Sequence, residues 1–148
     1  MKRIRSVLYA SDLSPVSRGA FETALDIATT LHAKLTILSV LPPLIALPHG
    51  YVDAVTRGRL DRQTRRWSAQ QLERLATRAR KAGIRSTAII LRDGNPADQI
   101  IRVCRATKSD LIVVGTHGRR GLPKFFLGSV AERVILMASC PVVSVRGK

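Results

Sequence analysis

Five short apolar, β-branched runs punctuate this chain, and the segments between them repeat apolar residues at helical spacing. The runs are Ile4 to Ala10, Leu35 to Val40, Thr87 to Leu91, Asp110 to Gly115 and Pro141 to Val145. An order β-α-β-α-β-α-β-α-β leaves few options. It predicts a doubly wound, mostly parallel five-stranded sheet, joined by right-handed crossovers and covered by helices on both faces. This is an α/β, Rossmann-like architecture. No composition shift, repeat or low-complexity segment divides the 148 residues, so one domain over 1–148 is expected.

The helices have readable ends and faces. Ser14-Pro15 reads as a capped start, with Phe21, Ala24, Leu25, Ala28 and Leu31 inward. Pro42, Pro43, Pro48 and Gly50 make Leu41 to Tyr51 a loop. A long helix then runs from about Asp53 to Ala82, with Leu60, Trp67, Leu72, Leu75 and Ala79 inward and Gly83 as its stop. Asp93-Gly94 turns the chain. Asn95-Pro96 opens a helix to about Ala106, with Ile100, Ile101 and Cys104 inward, and a last helix covers Ser129 to Ala138.

Composition excludes several classes. Apolar content of 45% argues against disorder, and no apolar stretch approaches the ~18 residues of a membrane span. Lys2, Arg3 and Arg5 precede an apolar run that Asp12 cuts short of a signal-peptide core, so the chain reads as cytoplasmic. Cys104 and Cys140 have no C-x-x-C spacing and read as two reduced, packed thiols. His32, His49 and His117 are scattered, which gives no metal-ligand spacing.

The net charge of +15 is concentrated. Between Arg57 and Arg85 ten basic residues face only Asp61 and Glu73, a local +8. Such a segment is either a solvated helix face or a polyanion-binding surface for nucleic acid. No interleaved aromatic residues favour a single-strand stacking platform, so the solvated face is preferred.

The chemistry lies in the segment that leaves the fourth run. Gly115-Thr116-His117-Gly118 follows Val114 directly, and Gly128-Ser129-Val130 opens the last helix. Gly115 and Gly118 let backbone pass close to a bulky anion, and the first-turn N–H groups of Gly128, Ser129 and Val130 point at it. Arg119, Arg120 and Lys124 add charge in the same loop. Neither a Walker P-loop nor a G-x-G-x-x-G fingerprint occurs. The loop carries no Asp or Glu to orient water, so a bound nucleotide is expected to act as effector and not as substrate. Slow hydrolysis, or self-phosphorylation on Ser129, is the lesser enzymatic alternative. Asp12 follows the first strand at the sheet's ligand edge. It reads equally as acceptor for a ligand hydroxyl or amine and as a loop cap.

Three segments together resemble the universal stress protein family. They are Ala10-Ser11-Asp12-Leu13-Ser14, the run Asp110 to Gly115 with Gly118-x9-Gly128-Ser129-Val130-Ala131-Glu132, and Ser139-Cys140-Pro141-Val142. The likeness spans essentially the whole chain, and G-x2-G-x9-G-[ST] is the family's ATP-binding signature. The resemblance implies an adenine nucleotide (ATP, or ADP or AMP), with any Mg²⁺ carried by its phosphates. It implies that Asp12 and the Ala10 backbone face ribose and adenine, and that Val40 meets adenine through its backbone. Val114 and Gly115 would line the pocket floor, and Gly118, Gly128, Ser129 and Val130 would hold phosphates, with Arg119 added from its position alone. It also implies a homodimer through the last strand, 142–145, whose short apolar edge invites a second chain.

Overall fold

The computed structural model describes residues 2–42, 53–116 and 128–147. Its elements follow the sequence order: β1 (Ser6–Ser11), a 3₁₀ turn (Pro15–Ser17), α1 (Arg18–Thr30), β2 (Lys34–Leu41) and α2 (Ala54–Lys81). They continue with β3 (Thr87–Asp93), α3 (Pro96–Thr107), β4 (Leu111–Gly115), α4 (Ser129–Met137) and β5 (Val142–Val145). The five strands form one sheet in the order β3-β2-β1-β4-β5. Every pairing is parallel, as expected of strands joined through helices.

Alternation along the strands divides the core in two. Val7 and Tyr9 of β1, Leu35 and Ile37 of β2, and Leu111 and Val113 of β4 pack against Phe21, Ala24 and Ala28 of α1 and Leu72, Ala76 and Ala79 of α2. The intervening residues Leu8, Leu38, Ile112 and Val114 meet Ile100, Ile101 and Cys104 of α3 and Ala131 and Val134 of α4. Right-handed crossovers require this partition. Stepping outward from β1 to β3 puts α1 and α2 on one face, and reversing through β4 to β5 puts α3 and α4 on the other.

Side-chain caps explain two of the four α-helix starts among the described residues. Asn95 accepts from the Asp98 N–H at 3.1 Å with Pro96 in the first turn, and Asp53 accepts from Thr56 N–H at 2.8 Å. The expected start at Ser14-Pro15 holds, with Pro15 in the first turn, but the expected hydroxyl cap is corrected. Ser14 makes no cap bond, and its carbonyl accepts from the Ser17 hydroxyl and N–H, which tightens Pro15–Ser17 into a 3₁₀ turn before α1 begins.

Three inward residues are also corrected: Leu31, Leu60 and Trp67 are exposed. Leu31 is the cap residue after α1, where the helical face has ended. Leu60 and Trp67 sit in the first half of α2, a helix of 28 residues and roughly 42 Å, which outruns strands of at most eight residues. Its buried stripe is Ser68, Leu72, Ala76 and Ala79, all in the second half.

Candidate functional site

Strand order reverses between β1 and β4, so their carboxyl ends open the crevice where ligands of doubly wound sheets bind. Ala10 pairs with Val114, and Ser11 pairs with Ser39, which brings Asp12 level with Val40 one step further on. Ala10, Val40 and Val114 all pack on the α3/α4 side. Gly115 ends β4 opposite Val145. Three strands thus bring Ala10, Val40 and Val114 to one edge and one face, with Gly115 at the same edge.

The β1 end is built as a strained turn. Leu13 has φ of +61°, a left-handed conformation that a leucine rarely adopts. A chain of hydrogen bonds holds it there. The Leu13 N–H donates to Ser11 Oγ at 2.9 Å, Ser11 and Ser17 hydroxyls meet at 3.1 Å, and Ser17 Oγ donates to the Ser14 carbonyl at 2.7 Å. Each hydroxyl donates once and accepts once if Ser11 donates to Ser17. The Tyr9 hydroxyl donates to the Ser17 carbonyl at 3.0 Å, and burial raises that phenol's pKa, which keeps the donor protonated. Asp12 Oδ1 accepts from Ser14 N–H at 2.9 Å, so this carboxylate does cap its loop. Capping uses one of about four acceptor positions on a carboxylate and is compatible with a second role.

The start of α4 supplies the other wall. Gly128 is its N-cap residue and offers no side chain to the first turn, where Ser129 and Val130 are exposed. Gly128 N–H donates to the Thr116 carbonyl at 2.6 Å, and Thr116 N–H donates to the Val145 carbonyl at 2.8 Å. The helix start is therefore tied to the end of β4. A Cβ at position 128 would stand 2.5 Å from the Thr116 oxygen, so the glycine is required by packing. Its φ of −59° needs no special freedom. Gly118 and Arg119 lie outside the described residues.

The basic helix is partly neutralised. Arg65 pairs with Asp61 and Asp93, Arg78 with Glu22, and Arg80 with Glu73. Arg57, Arg59, Arg62, Arg66, Arg74, Lys81 and Arg85 form no ion pair among the described residues. Trp67 lines a cleft of about 760 Å³ with Tyr9, Phe21 and Arg74, between α1 and α2. That cleft lies on the opposite side of the sheet from Ala10, Val40 and Val114. No helix among the described residues is long and apolar enough to cross a membrane.

Sequence reasoning missed the Ser11–Ser17 hydroxyl chain and the Thr116–Gly128 contact. Neither has a local signal, because each depends on where separate elements meet.

The comparisons agree with this architecture. A relative from Methanocaldococcus jannaschii, universal stress protein MJ0531, is 33% identical over 145 residues, spanning 96% of this chain and 82% of its own. The solved structure of hypothetical protein MJ0577 superposes with a TM-score of 0.88 at 22% identity over 99% of both chains. A universal stress protein in complex with cAMP gives 0.71 at 24%, covering 99% of this chain and 100% of its own. An Arabidopsis thaliana family member with AMP bound gives 0.70 at 20%, covering 97% and 92%. At these identities the structures speak for the fold. The profile of the Universal stress protein family matches residues 3–146, and with the five-stranded parallel sheet and its edge crevice the chain belongs to that family.

Proposed function

We propose that residues 1–148 act as one cytoplasmic adenine-nucleotide-binding domain whose nucleotide is an effector. The observation that carries this reading is the start of α4, where a glycine cap leaves first-turn N–H groups beside the end of β4. Phosphates would lie against Ser129, Val130 and Gly128, with Gly118 and Arg119 from the intervening loop. Adenine and ribose would occupy the edge lined by Ala10, Asp12, Val40, Val114 and Gly115. ATP is the favoured ligand, with ADP and AMP as alternatives and Mg²⁺ arriving on the phosphates. Relatives in the family that hold cAMP or AMP support the adenine class. Residues 115–131 contain no Asp or Glu, which supports binding without turnover.

Ser129→Glu tests the reading. A carboxylate in the first turn suits the helix dipole and should leave the fold intact, but it occupies the phosphate position with like charge. ATP affinity measured by calorimetry should fall about a hundredfold, on the scale of one or two lost charge-assisted hydrogen bonds. Adenosine should lose much less. The unpaired arginines of α2 favour a second reading, a polyanion-binding surface. Random-sequence DNA affinity unchanged in this variant, with ATP affinity also unchanged, would support that reading and remove the nucleotide from α4.

The reading includes a homodimer through β5. The Pro141 carbonyl accepts from Ile112 of β4 and the Val145 carbonyl from Thr116 just after it, so by strand alternation Val142 and Ser144 turn their backbone groups to the open edge. Ile135, Leu136 and Met137 on neighbouring α4 are exposed, Leu136 by 78%. Ser144→Pro removes an outward donor and leaves the β4 ladder whole. Light scattering should show monomer for Ser144→Pro and for Leu136→Glu. A dimer persisting in both would put the interface elsewhere.

A further inference from the structure

The two cysteines, 36 residues apart in sequence, meet. Cys104 Sγ on α3 lies 3.6 Å from Cys140 Sγ, in the link between α4 and β5. Nothing stands between the sulfurs at that distance. Both side chains belong to the core layer between the sheet and the α3/α4 pair. Their exposure differs: Cys104 is buried, and Cys140 is half-buried. Around them the backbone is firmly held. Cys104 lies inside α3, and the Pro141 carbonyl following Cys140 accepts from Ile112 N–H of β4 at 3.0 Å. Covalent bonding needs the sulfurs to close from 3.6 Å to roughly 2.05 Å.

We propose that Cys104 and Cys140 are a peroxide-oxidisable dithiol that closes to an intramolecular disulfide, fastening the α4–β5 link to α3. Cys140 reacts first because it is the less buried residue of the two. Its thiolate attacks the peroxide O–O bond, forming a sulfenic acid and releasing hydroxide, which takes up a proton to become water. Cys104 sulfur then displaces the sulfenic hydroxyl, forming the S–S bond, and its own proton leaves with that hydroxyl as a second water. The pair loses two electrons and two protons, and one hydrogen peroxide is reduced to two waters. Burial and the neighbouring Cys140 thiol push Cys104 up to about 12, which keeps it from attacking peroxide itself. It resolves because its sulfur stands 3.6 Å from Cys140, and its proton passes to the departing hydroxyl as the S–S bond forms. In the reduced state its S–H has the Ser109 carbonyl at 3.8 Å and the Cys140 sulfur as acceptors.

The test uses the full chain, reduced, desalted and treated with hydrogen peroxide. Intact mass should fall by about 2 Da, with both cysteines blocked to iodoacetamide and freed by dithiothreitol. The melting temperature should rise by roughly 5–10 °C and return on reduction, as expected for a crosslink closing a loop of this length. In Cys104→Ala, Cys140 should instead climb to the sulfinic acid, a gain of about 32 Da that dithiothreitol does not reverse. In Cys140→Ala, Cys104 should stay unmodified over the same period. A wild-type chain that gains oxygen on Cys140 without crosslinking would overturn the proposal. So would a crosslink that runs between chains, seen as a covalent dimer on non-reducing gels.

Discussion

Replacing Gly128 with alanine should both loosen the fold and abolish nucleotide binding. The added Cβ would stand 2.5 Å from the carbonyl oxygen of Thr116, which is backbone and cannot swing aside. That oxygen already accepts from Gly128 N–H at 2.6 Å. Relief requires α4's first turn to retreat from β4, and the retreat breaks the hydrogen bond and misaims the N–H groups of Ser129 and Val130. Overpacking of this kind costs about 1–3 kcal/mol, which for a chain of this size lowers the melting temperature by roughly 3–10 °C. Calorimetry should show no measurable ATP binding in the fraction that remains folded. Unchanged melting together with unchanged ATP affinity would mean that neither the contact nor the phosphate position has been read correctly. The comparison with Ser129→Glu is informative. That variant adds no backbone conflict, so it should lose ATP and keep its melting temperature, whereas Gly128→Ala should lose both.

Gly128 also marks how far the sequence can be read. Its spacing from Gly115 and Gly118 points to an anion loop, which treats the glycine as room for a ligand. The structure adds a requirement from inside the protein, because the end of β4 and the start of α4 touch there. Eleven residues separate Thr116 from Gly128 in sequence, and nothing local announces the contact. The strands were legible for the opposite reason. Runs such as Leu111 to Val114 are buried on both sides of the sheet, so their character is uniform and local. Asn95-Pro96 was legible because a cap is a property of three or four adjacent residues. Trp67 was not. Its spacing matches the inner face, but α2 extends past the sheet, and periodicity carries no information on where the partner surface ends. Cys104 and Cys140 fail in the same way, since only the packing of α3 against the α4–β5 link brings them together.

Asp12 caps its loop and is also the residue proposed to meet ribose or adenine, and two substitutions separate the two roles. Its Oδ1 accepts from Ser14 N–H at 2.9 Å, across a turn whose next residue, Leu13, holds φ of +61°. Asparagine retains an oxygen that can make this bond but carries no charge, and alanine removes both. Asp12→Asn should therefore keep the melting temperature of the parent. Asp12→Ala should lose about 1 kcal/mol of stability, because the turn gives up its cap. If the carboxylate also holds the ribose or adenine, both variants should bind ATP and adenosine more weakly by roughly ten- to a hundredfold, the cost of a hydrogen bond to a charged acceptor. Inorganic polyphosphate has no sugar or base to offer. Its affinity should be unchanged, or should rise slightly as a negative charge leaves the crevice. Should Asp12→Asn bind ATP like the parent while Asp12→Ala does not, the carboxylate is only the cap of a strained turn. Any weakening in the alanine variant would then come from the collapse of that turn at the end of β1.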